Sequence, residues 1–257
     1  MLRTRVIPCL QLIDESLVKT VKFGKHSYIG DPINTVRIFN ELEVDELCFL
    51  DIRATVEKRP PNFKILHEIA DECFMPLSYG GGVRDAATAK KILSIGFEKI
   101  LLNTVIFETP SLVTEIANYS GNQSIIGSID VKKNLFGKYQ VYSHDGTKKQ
   151  EVDPVKWAMQ LESLGVGELL ITSMDKDGTW SGFDVELIKK ISNAVTVPVI
   201  ANGGAGSIHH IEEAVKQGNA SAVCLGSMVV YQQKEMGVLV NFPDRDNLQS
   251  TLIHEKN

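Results

Sequence analysis

An apolar run, SIIGSID, ends in Asp130, which is where a strand would present a proton-transfer group. A carboxylate at the end of a buried strand faces a partly desolvated mouth, and that environment tunes it toward a general base. A loop-capping aspartate would look the same, and Asp51, ending FLD, is open to both readings. In SMDKDGT, Asp175 and Asp177 flank a turn; Asp177 is expected to face the pocket and Asp175 to cap. Two glycine-rich turns, SYGGGVRD and ANGGAGS, are candidate oxyanion sites. Free backbone N–H groups at a glycine turn before a helix favour phosphate. Each turn is followed by an apolar run ending in Asn103-Thr104 or Gly226-Ser227. Tight turns without a ligand are the alternative. At the opposite ends of four apolar runs stand Arg5, Glu46, Lys99 and Glu168, two cations and two anions. If they point inward they form a salt-bridged ring, which stability alone would explain and which could also act as a gate.

The elements that must position these residues come in two similar halves. ELCFLDIRAT starts at Glu46 and ELLITSMDKDGT at Glu168, 122 residues on. Gly80 and Gly203 are 123 residues apart, and LLNT at 101–104 matches LGSM at 225–228. Strands are expected at 5–11, 46–51, 76–79, 99–103, 124–130, 168–173, 198–202 and 222–226. Their near-continuous apolar character suits parallel strands buried on both faces. Helical patterns are clearest at 32–42, 85–95, 110–119, 153–164, 184–195 and 208–217, with a closing helix at 244–254 and a fraying end at 256–257. Four strands per half predict one eight-stranded (β/α)8 barrel over residues 1–257, with half-barrels about 1–122 and 123–250. Strand C-termini would then line the mouth: Gln11, Asp51, Gly80 to Gly82, Asn103, Asp130, Thr172, Ser173, Asp177, Gly203, Gly204 and Ser227. Two long loops follow strand C-termini on that same face. Residues 13–31 carry Lys19, Lys22, Lys25 and Gly24. Residues 131–152 carry YQVYSHDGTKK, where DG between β-formers suggests a small hairpin.

The 257-residue length suits one such barrel, and a net charge of −5 gives no basic field for nucleic acid. No apolar run has the length of a membrane span, and the charges of MLRTRVIPCL leave no room for a secretory signal. A cytoplasmic protein is expected. Cys9, Cys48, Cys73 and Cys224 include no C-x-x-C pair and read as reduced structural thiols. The six histidines show no metal spacing, and His209-His210, at a helix start, reads as solvated. Neither a metal nor a cofactor is expected.

RVIPCLQL, DELCFLDIRATVEKR, the GGGVRD turn, LLNT, GSIDVK and GELLITSMDKDGTWSGFD together resemble the signatures of the cyclase subunit of imidazole glycerol phosphate synthase. The resemblance runs to about residue 230. It implies a (β/α)8 barrel that takes ammonia from a glutaminase docked on the barrel floor and passes it to the mouth. It makes Arg5, Glu46, Lys99 and Glu168 the matches of four gate residues. Gly82, Asn103 and Thr104 match one phosphate site; Gly178, Gly204, Gly226 and Ser227 match parts of the other. Thr172 and Asp177 fall among its substrate-binding positions, Lys19 on its first loop, and Asp130 on the second of its two catalytic aspartates.

The chain departs from that pattern at Gln11, where the histidine-pathway cyclases carry the partner acid. A glutamine neither gives nor takes a proton at neutral pH. Losing one of two acid–base groups costs on the order of 10²–10⁴-fold. Gln11 and the C-terminal stretch GVLVNFPDRDNL are similar instead to a paralogous group. That group works with its own glutaminase to place an acetamidino group on a bacterial surface-polysaccharide sugar. The reading that follows is an ammonia-channelling synthase acting on an N-acetylated nucleotide sugar, with Asp130 moving protons and Gln11 holding the amide. The alternatives are the histidine-pathway cyclase and a non-catalytic barrel that only activates a glutaminase. A phosphosugar isomerase of the same barrel group would have no use for the charged floor.

Overall fold

A computed structural model describes residues 4–252. Its frame is a closed barrel of parallel strands: β1 (Arg5–Ile13), β4 (Leu47–Asp51), β5 (Leu77–Gly80), β6 (Lys99–Leu102), β7 (Ile125–Lys133), β10 (Glu168–Ser173), β11 (Val199–Asn202) and β12 (Ala222–Leu225). Each pairs with the next, β7 pairs with β10 past the β8–β9 excursion, and β12 pairs with β1 to close the ring. This is the (β/α)8 barrel expected from the alternating pattern.

Helices fill the crossovers: α1 (Pro32–Glu41), α2 (Phe63–Glu72), α3 (Ala86–Ile95), α4 (Thr104–Glu108), α5 (Ser111–Ser120), α6 (Pro154–Leu164), α7 (Val185–Ser192), α8 (Ile208–Lys216), α9 (Ser227–Val230) and α10 (Arg245–Leu252). Their starts follow capping chemistry. Asp31, Asn62, Asp85, Asp153, Asp184 and Ser207 each accept a first-turn backbone N–H. Two apolar clusters result. The larger lies between strands and helices. The smaller fills the lumen, with Ile7, Cys9, Cys48, Leu101, Ile126, Leu170, Ile200, Ala222 and Cys224.

Four elements differ from expectation. α2 was not among the clear helical patterns: Pro60-Pro61 before it reads as loop, and only Ile65, Leu66 and Ile69 are buried. The short α4 and α9 take over Thr104 and Ser227, so Asn103 and Gly226 are helix N-caps rather than strand ends. The 13–31 loop is regular: β2 (Ser16–Thr20) and β3 (His26–Gly30) form an antiparallel hairpin on β1. It forms because β1 runs two residues past Gln11 and offers a free edge above the barrel. The hairpin expected after β7 is present, with β8 (Tyr139–Ser143) and β9 (Lys148–Gln150). α10 spans most of the expected closing helix; His254 and the fraying end at 256–257 lie outside the described residues.

Candidate active site

The barrel mouth encloses a cavity of about 550 Å³, a volume suited to a small-molecule ligand. Gln11, Lys19, Gly82, Asn103, Thr104, Asp130, Thr172, Asp177 and Gly226 line it. Gly178, Gly204 and Ser227 do not. The β2–β3 hairpin accounts for part of this, since a Cβ at Gly178 would lie 2.7 Å from the Thr20 carbonyl oxygen.

Asp130 is buried in the cavity wall. Asn103 Nδ2 donates to its Oδ2 at 2.7 Å. Burial, then the negative charges of Asp145 and Asp177, push its carboxyl up to about 7, with Thr172 and Asn103 pulling the other way. A carboxyl poised near neutrality can both take and return a proton. Asn103 is therefore turned toward the acid and leaves the first turn of α4 without a side-chain cap. The N-terminus of α9 is uncapped in the same way. By contrast, Asp85 and Ser207 already fill the starts of α3 and α8. The amides after Asn103 and Gly226, at the starts of α4 and α9, thus receive no side-chain cap.

The glycine turns owe their composition first to packing. Gly81 and Gly82 have φ of 119° and 69°, and Gly203 and Gly204 have 89° and 108°. A Cβ would strike the Asp51 carbonyl oxygen at 2.4 Å from Gly81 and the Ser173 carbonyl oxygen at 2.8 Å from Gly203. Glycine is required there whether or not an anion binds.

On the β1 side, Gln11 Oε1 accepts from Thr20 N at 2.9 Å and from Thr20 Oγ1 at 3.2 Å. Its oxygen is committed, which leaves the amide N–H₂ as the group free to meet a ligand. Lys19, buried on β2, donates to Asp177 Oδ1 at 2.8 Å. Asp51 is structural: Arg59 holds it with two hydrogen bonds, at 2.7 and 2.8 Å, and it caps Arg53 and Ala54. Asp175 accepts from Lys133 N at 2.7 Å, away from the cavity.

Sequence reasoning passed over Asp145. It was visible as the D of the DG turn, but its only assigned role was to bend the hairpin. It lines the cavity, at φ 55°, on the β8–β9 turn. Burial pushes its carboxyl up to about 6, with Arg53 opposing. His210 also differs from expectation. It is half-buried and accepts from Gly206 N at 3.2 Å, because α8 starts against the second glycine turn.

At the other end of the barrel, Arg5, Glu46, Lys99 and Glu168 close a ring. Arg5 meets Glu46 at 2.5 Å and Glu168 at 3.1 Å; Lys99 meets Glu46 at 3.2 Å and Glu168 at 3.1 Å. Lys99 and Glu168 also line a hollow of about 450 Å³ on this floor, beside Phe97 and Tyr119. Above the ring the lumen is uncharged. The Cys224 thiol and burial push the Cys9 thiol well above its usual range, and the Cys9 thiol and burial do the same for Cys48. Cys9, Leu50 and Leu101 belong both to the lumen cluster and to the cavity wall, so floor, lumen and mouth are stacked along one axis.

Known proteins share this frame. A family model described as histidine biosynthesis protein matches residues 5–235. A Pseudomonas aeruginosa protein with the provisional name imidazole glycerol phosphate synthase subunit hisF2 is 48% identical over 96% of this chain and 99% of its own length. A Leptospira borgpetersenii protein provisionally named imidazole glycerol phosphate synthase subunit HisF is 43% identical, covering 95% of this chain and 96% of its own. A Vibrio vulnificus protein provisionally named as subunit hisF3 is 42% identical over 98% and 97%. The chain belongs to the histidine biosynthesis protein family, among the barrels similar to the HisF subunit of imidazole glycerol phosphate synthase.

Proposed function

We propose that this chain is the ammonia-using synthase subunit of a glutamine amidotransferase. A glutaminase would dock on the N-terminal barrel face, where the floor hollow opens beside exposed Tyr119. Ammonia would cross the ring of Arg5, Glu46, Lys99 and Glu168 and travel the uncharged lumen to the cavity. Among the described residues Glu168 Oε2 is buried without a hydrogen-bond partner, and it could accept from an N–H of ammonia in passage. The acceptor would be an N-acetylated nucleotide sugar, and the product an acetamidino sugar for bacterial surface polysaccharide. Its phosphates would meet Lys19 and the uncapped amides after Asn103 and Gly226, and the Gln11 N–H₂ would donate to the acetamido oxygen. Asp130 would carry the proton from nitrogen as the C–N bond forms.

Gln11 carries this choice of acceptor. Its carbonyl oxygen is held by Thr20, and position 11 carries no acid. The second reading, the histidine-pathway cyclase, is favoured by the names of the relatives. A barrel that merely activates a glutaminase would need neither a carboxyl near 7 nor a cavity around it. Assays of the purified chain with ammonium salt and no glutaminase decide between enzyme and scaffold. Product on the nucleotide sugar supports the proposal. Turnover confined to the ribulosyl carboxamide substrate of the histidine pathway supports the second reading, and no turnover on either supports the scaffold.

A further inference from the structure

Adding ammonia to a carbonyl and releasing its oxygen as water needs two proton transfers, one from nitrogen and one to oxygen. Gln11 can supply neither. A second titrating group must therefore come from elsewhere in the cavity wall. His144 lines the cavity too, but its Nδ1 lies 2.9 Å from Ser143 Oγ, and its Nε2 is 3.8 Å from Glu108. Asp177 is held by Lys19 and Thr20, and Asp51 by Arg59. Asp145 differs from all of these. Its carboxylate makes no hydrogen bond or ion pair among the described residues, although it is half-buried in the cavity wall.

The β8–β9 hairpin places it there. Asp130 pairs with Tyr142 across β7 and β8, and Asp145 follows three residues on, where the chain turns back over the mouth. The turn is pinned: His144 N donates to Thr104 Oγ1 at 3.0 Å, and Thr147 N donates to His144 O at 3.1 Å. Gly146 packs so closely that a Cβ would lie 2.3 Å from Met174 Cε. Asp145 thus lines the same cavity as Asp130, near enough for its charge to raise the Asp130 carboxyl.

We propose that Asp145 is the second proton-transfer residue of the ammonia-addition reaction, acting as a pair with Asp130 in place of the acid that Gln11 lacks. The inference rests on the ammonia-using reading of this cavity but not on which carbonyl is the acceptor. As ammonia's nitrogen bonds to the carbonyl carbon, the π pair moves to oxygen. The ionised member of the pair takes a proton from nitrogen, and the protonated member gives one to oxygen. The hydroxyl then leaves as water on receiving the proton just taken, and nitrogen forms the C=N bond. Loss of a proton from that nitrogen returns the pair to its starting state. The sum is ammonia plus carbonyl giving C=N plus water.

One proton must be shared by the pair. With carboxyls pushed up to about 6 and about 7, this holds between those values; below them both are protonated, and above them both are ionised. The charged and titrating groups around the pair are Asp177 with Lys19, Asp51, Lys58, Arg84, and His144 with Glu108 in the cavity wall, and Arg53, which acts on Asp145.

Asp145→Asn tests this, since asparagine tolerates the positive φ of the turn. Turnover of the nucleotide sugar with saturating ammonium should fall about 10²-fold or more with KM little changed. The bell-shaped pH profile should become a single limb. Carbon-13 NMR of labelled aspartate carboxyls, which needs no substrate, should give two coupled titrations near 6 and 7 in the wild type. In the variant the Asp130 step should move down, because a neighbouring negative charge is gone. Wild-type turnover and an unchanged pH profile in Asp145→Asn would overturn the role of Asp145. Two carboxyls that both titrate below 5 would overturn it independently of any acceptor. If the coupled titrations appear but wild type uses neither acceptor, the ammonia-using reading falls, and the inference with it.

Discussion

β1 passes through Gln11 and continues into the β2–β3 hairpin; β7 passes through Asp130 and continues into the β8–β9 hairpin. β1 and β7 are the first and fifth strands of the barrel, and residues of each hairpin line the mouth. The first brings Lys19, which pairs with Asp177, and ties up the Gln11 oxygen through Thr20. The second brings Asp145 into the same cavity as an Asp130 whose carboxyl is pushed up to about 7. On the proposed reading, one side binds through an amide and a cation, and the other moves protons. Both sides are a barrel strand extended into a hairpin, and the difference lies in a few side chains with strong consequences for charge.

The largest expected effect separates these sides directly. Asp130→Asn should lower ammonium-dependent turnover by on the order of 10²–10⁴-fold. Gln11→Ala removes hydrogen bonds worth about 0.5–1.5 kcal/mol each and should cost roughly tenfold, mostly in KM. Equal losses in kcat would erase the distinction. The same variant carries a stability signature. Asp130 moves from 3.8 to about 7 on folding, so the folded state binds the extra proton between those values. Wild-type stability should therefore fall as pH rises from about 4 to 7, by up to about 4 kcal/mol. Thermal melts of Asp130→Asn should show a shallower decline that ends near pH 6, the part left by the raised Asp145 carboxyl.

Next in size is the floor. Lys99→Ala leaves Glu46 and Glu168 facing each other across a broken ring. The cost to stability should lie between the exposed and buried limits, about 1–3 kcal/mol. With glutaminase bound, glutamine hydrolysis should continue while product per glutamine falls several-fold. Product formation from ammonium salt should change less. Unaltered coupling in this variant would remove the ring from the ammonia route.

A smaller contrast tests how closely the two glycine turns are matched. Gly81→Ala and Gly203→Ala both place a side chain at positive φ against a carbonyl oxygen. The closer approach at Gly81, 2.4 Å against 2.8 Å, predicts the larger loss there. Each should cost on the order of 1–3 kcal/mol in denaturant melts. The opposite ranking would mean that the first turn relaxes more readily than the second.

The barrel itself was legible because apolar runs and capping residues recur at matched spacing, and no long-range information was needed to read them. Four charged residues at strand starts suggested a ring for the same reason. The β2–β3 hairpin was not legible: it has no turn dipeptide, and it exists because β1 overshoots the barrel. Asp145 was hidden differently. Its turn chemistry was plain, but its value as an acid comes from burial and from Asp130, which is contributed by another strand. The family resemblance placed Asn103 at a phosphate site but did not show that its side-chain amide donates to Asp130. In each of these cases the missing information lies in how side chains from different elements meet.

The most direct test of the account exchanges the group that distinguishes the two sides. Wild type and Gln11→Asp should each be assayed with saturating ammonium on the N-acetylated nucleotide sugar and on the ribulosyl carboxamide. The account predicts that wild type uses the sugar and has very low turnover on the carboxamide. It also predicts that Gln11→Asp raises carboxamide turnover and weakens use of the sugar. Wild-type turnover of the carboxamide at ordinary enzyme rates, about 1–10³ per second, with Gln11 in place would contradict it.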